Sequence, residues 1–220
     1  VERDATMTTW YATTEPLGLH VDDPVLDRLR KRARAESLSV STLLVTGDID
    51  VPVVAAAVHR DDDWPRFAAG SGADLDPAAA ARSAVAEALQ NWTELRSMGK
   101  AGADDAGAAI GYHADRPPQT AAFFDPATTV EAEGIGEPDL DGSAALETVV
   151  ERVQAAGLSP VAARLTTRDL ATLGFEAVRV LVPGAQPLFT GEPFFGDRAR
   201  EVPRSMGYEP ALDRPYHPFP

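Results

Sequence analysis

The sequence runs to 220 residues with 34 acidic against 20 basic side chains, a formal charge of −14, and no cysteine. That length allows one large or two small hydrophobic cores, and the lack of thiols excludes disulfides, thiolate zinc sites and a cysteine nucleophile. So large an acidic excess argues against general nucleic-acid binding, which needs a basic footprint, and no run of about 18 apolar residues marks a membrane span.

Lys31 and Lys100 are the only lysines, and acids cluster at Asp61, Asp62, Asp63 and at Asp104, Asp105. This balance reads as the surface of a protein from a salt-loving source, where ions screen self-repulsion. The alternative is an ordinary acidic protein of a GC-rich genome. Val1-Glu2-Arg3-Asp4 lacks the basic-then-apolar pattern of an export signal, so the expected location is cytoplasmic.

In chain order, Val25, Leu26, Leu29 and Ala33 recur at helical spacing behind Asp23, which predicts a capped helix over residues 24–36. The β-branched runs 39–46 and 51–58, separated by Gly47, Asp48, Ile49 and Asp50, predict a strand hairpin. Residues 59–76 read as a loop. Asp76 followed by Pro77 and an alanine-rich run predicts a helix to about Met98.

Residues 99–118 are rich in Gly, Ala and Asp and predict a mobile surface loop. A helix capped by Ser143, burying Leu146, Val149, Val150 and Val153, is expected to stop at Gly157. Strands are predicted over 161–165 and 175–182, the second almost wholly apolar and therefore central. Prolines recur from Pro183 to Pro220 and predict an extended tail. Helices alternating with strands, some in hairpins, give an α+β class with mixed sheets.

Chemistry-bearing residues are sparse. Ser83, Glu87 and Gln90 fall four and three apart and share one helix face, where a hydroxyl, a carboxylate and an amide can meet a hydrated magnesium ion and the polar edge of a nucleotide. An exposed helix stripe of no function has the same pattern. His20, His59, His113 and His217 share no ligand spacing. Gly70-Ser71-Gly72 lacks the spacing of a nucleophile elbow, and no P-loop pattern occurs.

Four separated segments carry a resemblance. They are the run from Pro65 through Gly70-Ser71-Gly72 into Ala84-Val85-Ala86-Glu87-Ala88-Leu89-Gln90; the segment Gly47 to Ala55; the run Gly174 to Gly184 with Gln186-Pro187-Leu188; and Pro215-Tyr216-His217-Pro218-Phe219-Pro220. Together they resemble the YcaO family, whose domain uses ATP to activate peptide-bond amides. The resemblance implies a YcaO-like domain over 1–220 with the proline-rich tail 183–220, and ATP and Mg2+ as cofactors.

By the same resemblance Glu87 is a magnesium ligand, and Gln90 and Ser83 lie in the nucleotide site. Arg179, in the Val-Arg-Val run, reaches phosphate, although a buried structural ion pair is the plainer reading of an arginine inside an apolar strand. Val1-Glu2-Arg3-Asp4 is similar to the second half of the family's Glu-x-x-Glu-Arg motif, which makes Glu2 a second metal ligand. The first acid of that motif would fall before Val1, so the first third of a usual YcaO domain is expected to lie outside these residues. The tail is similar to the family's Pro-x-Pro-x-Pro ending, with Tyr216 in the place of the first proline. In peptide-heterocycle-forming members that ending lies near the active site, which makes Pro220, with Arg179, a candidate catalytic residue.

The implied activity is phosphorylation of a backbone amide oxygen. Addition of a side-chain Cys, Ser or Thr, or of sulfide, to the carbonyl carbon then expels phosphate and leaves an azoline or a thioamide. Implied partners are a peptide or protein substrate and an E1-like or TfuA-like protein, with a homodimer left open and neither nucleic acid nor membrane expected. The alternative is a non-catalytic scaffold or ATP-binding partner-interaction protein.

Overall fold

The computed structural model describes residues 1–105 and 109–220. Its main sheet has five strands: β1 (Leu17–His20), β2 (Ser39–Leu44), β3 (Val53–His59), β4 (Phe67–Ala73) and β5 (Thr129–Glu131), in the order β4-β3-β2-β1-β5. All pairings are antiparallel except β1 with β5. The mixed sheet with flanking helices is the expected α+β class.

The period of two along a strand explains how one sheet serves two cores. Val54, Ala56 and Val58 of β3, with Ala68 of β4, face α2 (Pro24–Ala35) and α3 (Pro77–Asp105). Val53, Ala55 and Ala57, with Phe67 and Ala69, face the other way, onto Met7 and Trp10 of α1 (Glu2–Trp10) and onto Phe189 and Phe219 of the tail. β3 is consequently buried on both faces, and α1 and α3 lie on opposite sides of the sheet.

The α2 and α3 starts behave as their sequences predict. Asp23 accepts from the Leu26 N–H at 2.7 Å and Asp76 from the Ala78 N–H at 2.8 Å. Arg82 then links the two caps, meeting Asp23 at 2.7 Å and Asp76 at 3.3 Å. Helix capping by short acids is worth about 1 kcal/mol each.

Several expectations are corrected. Residues 67–73, read as loop, form β4. Residues 99–118 are largely helical where described: α3 runs on past a break at Gly99, where φ is +74°, and α4 (Ala109–Ala114) follows, with α5 (Pro118–Phe123) closing the segment. Residues 106–108 of that predicted loop lie outside the described residues. α6 (Gly142–Ala155) has Asp141, not Ser143, at its N-cap position, and of its predicted buried side only Val153 is buried, while Leu146 is exposed.

The predicted central strand is the largest departure. β6 (Val161–Arg164) and β7 (Val178–Leu181) form a two-stranded antiparallel hairpin, separate from the main sheet, with every residue exposed. α7 (Arg168–Thr172) lies between them in sequence. An apolar strand is central only where layers cover both its faces, and no described element does so here. The tail is not wholly extended either, because α8 (Arg198–Ser205) interrupts it.

Candidate functional site

β4 is an edge strand, so its outward backbone groups need partners from outside the sheet. α3 supplies them. Glu87 Oε2 accepts the Ser71 N–H at 2.8 Å, and one turn on Asn91 Nδ2 donates to the Ala69 carbonyl at 2.9 Å. Gly70 and Gly72, on the α3 side of the strand, make this approach possible. A Cβ on Gly70 would stand 2.5 Å from Ala88 N and 2.9 Å from Glu87 Cβ, and one on Gly72 would stand 2.9 Å from Ser83 Cβ.

Ser71 itself points to the opposite face, where α1 lies. There its hydroxyl donates to Glu2 Oε1 at 2.7 Å. One residue at the sheet edge thus gathers a carboxylate from α1 and a carboxylate from α3. Burial pushes the Glu87 carboxyl above its ordinary value and the Glu2 charge adds to that, while the Ser71 N–H and nearby Arg3 pull the other way. Two half-buried carboxylates held by one residue, Glu2 on the Ser71 hydroxyl and Glu87 on its N–H, repel one another unless a cation lies between them.

That donor set fits Mg2+. The ion takes oxygen ligands, often one or two carboxylates, and fills its octahedron with water and phosphate oxygens. Among the described residues no group of three or more His, Cys, Asp or Glu side chains could hold a metal ion, so any ion between Glu2 and Glu87 would draw its remaining ligands from solvent or nucleotide.

The other sequence candidates scatter. Ser83, four residues before Glu87, is exposed beside Gly72, and Gln90 is exposed and donates to Glu94 at 3.1 Å. Pro220 lies further along the same sheet edge, where it lines a small cavity with Ala69, Asn91, Glu94 and His113. Arg179 stands exposed on β7. Its exposure excludes the buried ion pair, and the described contacts do not join it to Glu2, Ser71 or Glu87.

Sequence reasoning missed Ser71 as the residue that joins the carboxylates. It also missed the buried Asp4, Gln186 and Arg198 and the more exposed Asp48, a polar cluster directly behind Glu2. The Gly-Ser-Gly pattern preceding a capped helix was the available signal for Ser71. The cluster left none, because its members are up to 194 positions apart.

The fold and site define a mixed-sheet α+β domain that opposes two acids, from helices on opposite faces, across a sheet edge. The family model for the YcaO cyclodehydratase, ATP- and Mg2+-binding, matches residues 1–186, and the chain belongs to the YcaO family, whose cofactors are ATP and Mg2+. Among solved structures it is similar to a heterocyclase in complex with substrate and cofactor, with a TM-score of 0.76 and 24% identity over 99% of this chain and 29% of the other. The heterocyclase TruD gives 0.69 and 23% over 98% and 29%. YcaO from Methanopyrus kandleri, bound with AMPPCP and Mg2+, gives 0.62 and 26% over 84% of this chain and 49% of that one. No curated protein matches. The chain therefore spans less than a third of the first two relatives and about half of the third. Among the described residues no helix is long and apolar enough to cross a membrane.

Proposed function

We propose that this chain forms part of an ATP- and Mg2+-dependent site that activates a peptide backbone amide by phosphorylating its oxygen. The observation that carries the reading is the convergence of Glu2 and Glu87 on Ser71. When bound, ATP supplies the phosphoryl group that converts the amide oxygen into a leaving phosphate, and Mg2+ offsets the charge on that group.

The chain's own residues do the positioning. Glu2 and Glu87 hold the cation, and Ser71 keeps the two carboxylates apart from their own helices and facing each other. Ser83 and Gln90, exposed on the same helix as Glu87, meet the nucleotide in this reading. Pro220 is the tail residue closest in kind to the family's proline ending, and its cavity begins one helical turn beyond Glu87, at Asn91. Arg179 would steady phosphate. Burial of one face of the site by α1, β4 and α3 supplies the orientation on which such phosphoryl transfers chiefly depend.

The substrate in this reading is a peptide or protein presenting Cys, Ser or Thr, or an amide attacked by sulfide, giving an azoline or a thioamide. An E1-like or TfuA-like partner would deliver it. The heterocyclase likenesses favour the azoline.

Mn2+ binding to the chain in the presence of a non-hydrolysable ATP analogue, followed by electron paramagnetic resonance, tests the site. Wild type is expected to bind, and Glu87→Gln to bind at least tenfold more weakly. Equal binding by both would remove Glu87 from the metal site and the proposal with it. A second reading, a domain that binds nucleotide as a scaffold without turnover, is favoured by the exposed placement of Arg179 on the outlying hairpin. It predicts Mn2+ and nucleotide binding with no phosphate release in the presence of a Cys-containing peptide.

A further inference from the structure

Behind Glu2 lies the most deeply buried ion pair among the described residues, Asp4 with Arg198, which the more exposed Asp48 joins from the surface side. The Arg198 guanidinium, on α8, grips Asp4 through Nε at 2.8 Å to Oδ1 and Nη2 at 2.7 Å to Oδ2. It also grips Asp48, in the turn between β2 and β3, through Nη2 at 2.6 Å and Nη1 at 3.1 Å. Asp4 Oδ1 further accepts the Gln186 N–H at 2.6 Å. The Gln186 side chain donates to the Pro187 and Phe194 carbonyls and accepts the Gly196 N–H, which folds the segment before α8 back onto the cluster. Asp4 is 3% exposed and Arg198 9%.

Buried ion pairs are poor sources of net stability, because desolvation cancels most of the attraction. What a doubly bidentate guanidinium does supply is direction. Asp4 sits in the first turn of α1, two residues after Glu2 and so about 200° round the helix axis. Asp4 points into the cluster and Glu2 points to Ser71. Fixing the Asp4 carboxylate at both oxygens therefore fixes the rotation and axial position of the turn that carries Glu2.

We infer that Arg198 is a positioning residue for the metal site, acting through Asp4 to hold Glu2 opposite Glu87. This rests on the proposed metal role of those two carboxylates. Arg198 lies beyond residue 186, where the family match ends, so nothing in that match assigns it.

The test is a double-mutant cycle read by Mn2+ affinity of the full chain, with Mn2+ and the non-hydrolysable ATP analogue as the probe and circular dichroism to confirm folding. Arg198→Lys keeps the charge and loses the fork. It is expected to weaken Mn2+ about tenfold, the scale of lost support behind a ligand, and to have no further effect in a Glu2→Gln background. Asp48→Asn, which leaves the Asp4–Arg198 pair whole, is expected to weaken Mn2+ about threefold, again only when Glu2 is present, and decides the matter if Arg198→Lys does not fold. Unchanged affinity, or an equal loss with and without Glu2, overturns the inference. If wild type binds no Mn2+, the metal reading fails instead, and the inference falls with it.

Discussion

The Ser71 N–H donates to Glu87 Oε2 at 2.8 Å, across the seam between the edge of the sheet and the long helix α3. The bond satisfies a backbone donor that an edge strand leaves open. It also directs Glu87 past its own helix towards the face where α1 brings Glu2. Structure and chemistry share one carboxylate, since one oxygen is committed to Ser71 and the other is left for a ligand.

Gly70→Ala should be strongly destabilising and should disturb the site. Its Cβ would meet Ala88 N at 2.5 Å and Glu87 Cβ at 2.9 Å, contacts that backbone on both sides cannot relieve by a rotamer change. Overpacking of this kind costs about 1–3 kcal/mol, which in a domain of this size lowers Tm by roughly 2–12 °C. Thermal unfolding followed by circular dichroism measures the loss. A Tm within a degree of wild type would mean that α3 stands further from β4 than the structure places it.

Glu87→Gln should stabilise the metal-free protein at neutral pH. The fold raises the Glu87 carboxyl through burial first and the Glu2 charge next, so the folded state binds the Glu87 proton more tightly than the unfolded state does. Stability is then lost as pH rises through the unfolded and folded values, and an amide, which cannot ionise, keeps it. Glutamine retains an oxygen for the Ser71 N–H. Solvent screening of a half-buried group limits the gain to the order of 1 kcal/mol, or about 2–4 °C in Tm. The gain should disappear below the ordinary carboxylate range. Added Mg2+ should raise the Tm of wild type but not of the variant. A variant less stable than wild type at pH 7.5 and equally responsive to Mg2+ would contradict both halves of the argument.

Local signals made α2, α3 and the β2–β3 hairpin legible: acidic caps, a first-turn proline, alanine-rich or β-branched runs. β4 was not legible, because Phe67-Ala68-Ala69-Gly70-Ser71-Gly72-Ala73 is poor in strand formers. Its strand exists because the glycines admit α3 and because β3, buried on both faces, requires a second neighbour. The opposite error arose at β7, whose valines and leucine signal burial that the described residues do not provide. The family motifs pointed to Glu2 and Glu87. Ser71, which joins them, left only the Gly-Ser-Gly pattern before a capped helix, and Arg198, which meets Asp4 from the far end of the chain, depends on tertiary placement of which spacing along the sequence carries no trace.

His113 should make stability depend on pH on the acid side. Its ring is buried against Trp10 and Tyr112. One nitrogen is 2.7 Å from Thr120 Oγ1 and the other 2.6 Å from the Tyr216 carbonyl, so it fastens the tail to α4 and α5. Burial lowers its pKa to about 4, with a further push from His217, although the Tyr216 carbonyl opposes the shift. His217 is itself lowered by burial. The unfolded chain takes up these protons first, so stability is full above about pH 6.5 and falls as pH drops towards 4, at up to about 1.4 kcal/mol per unit for His113 alone. Between pH 6.5 and 5 the Tm of wild type should fall by several degrees more than that of His113→Gln. Parallel curves for the two proteins would show that His113 stays neutral in neither state or both.

Arg179 offers the sharpest separation of function from fold. It is exposed on a two-stranded hairpin that is itself outside the main sheet. Surface substitutions away from caps, cores and networks stay within about 0.5 kcal/mol, so Arg179→Gln should leave Tm within about 2 °C of wild type. If Arg179 steadies phosphate, as the proposed function holds, the same substitution removes a charged hydrogen bond worth about 1.5–3 kcal/mol. Affinity for a fluorescent ATP analogue with Mg2+ should then fall at least tenfold. That combination, unchanged stability with weakened nucleotide binding, cannot come from a purely structural residue. Unchanged nucleotide affinity would leave the hairpin outside the site and would favour the scaffold reading, because the phosphate would then lack the one strand cation that the family motif supplies.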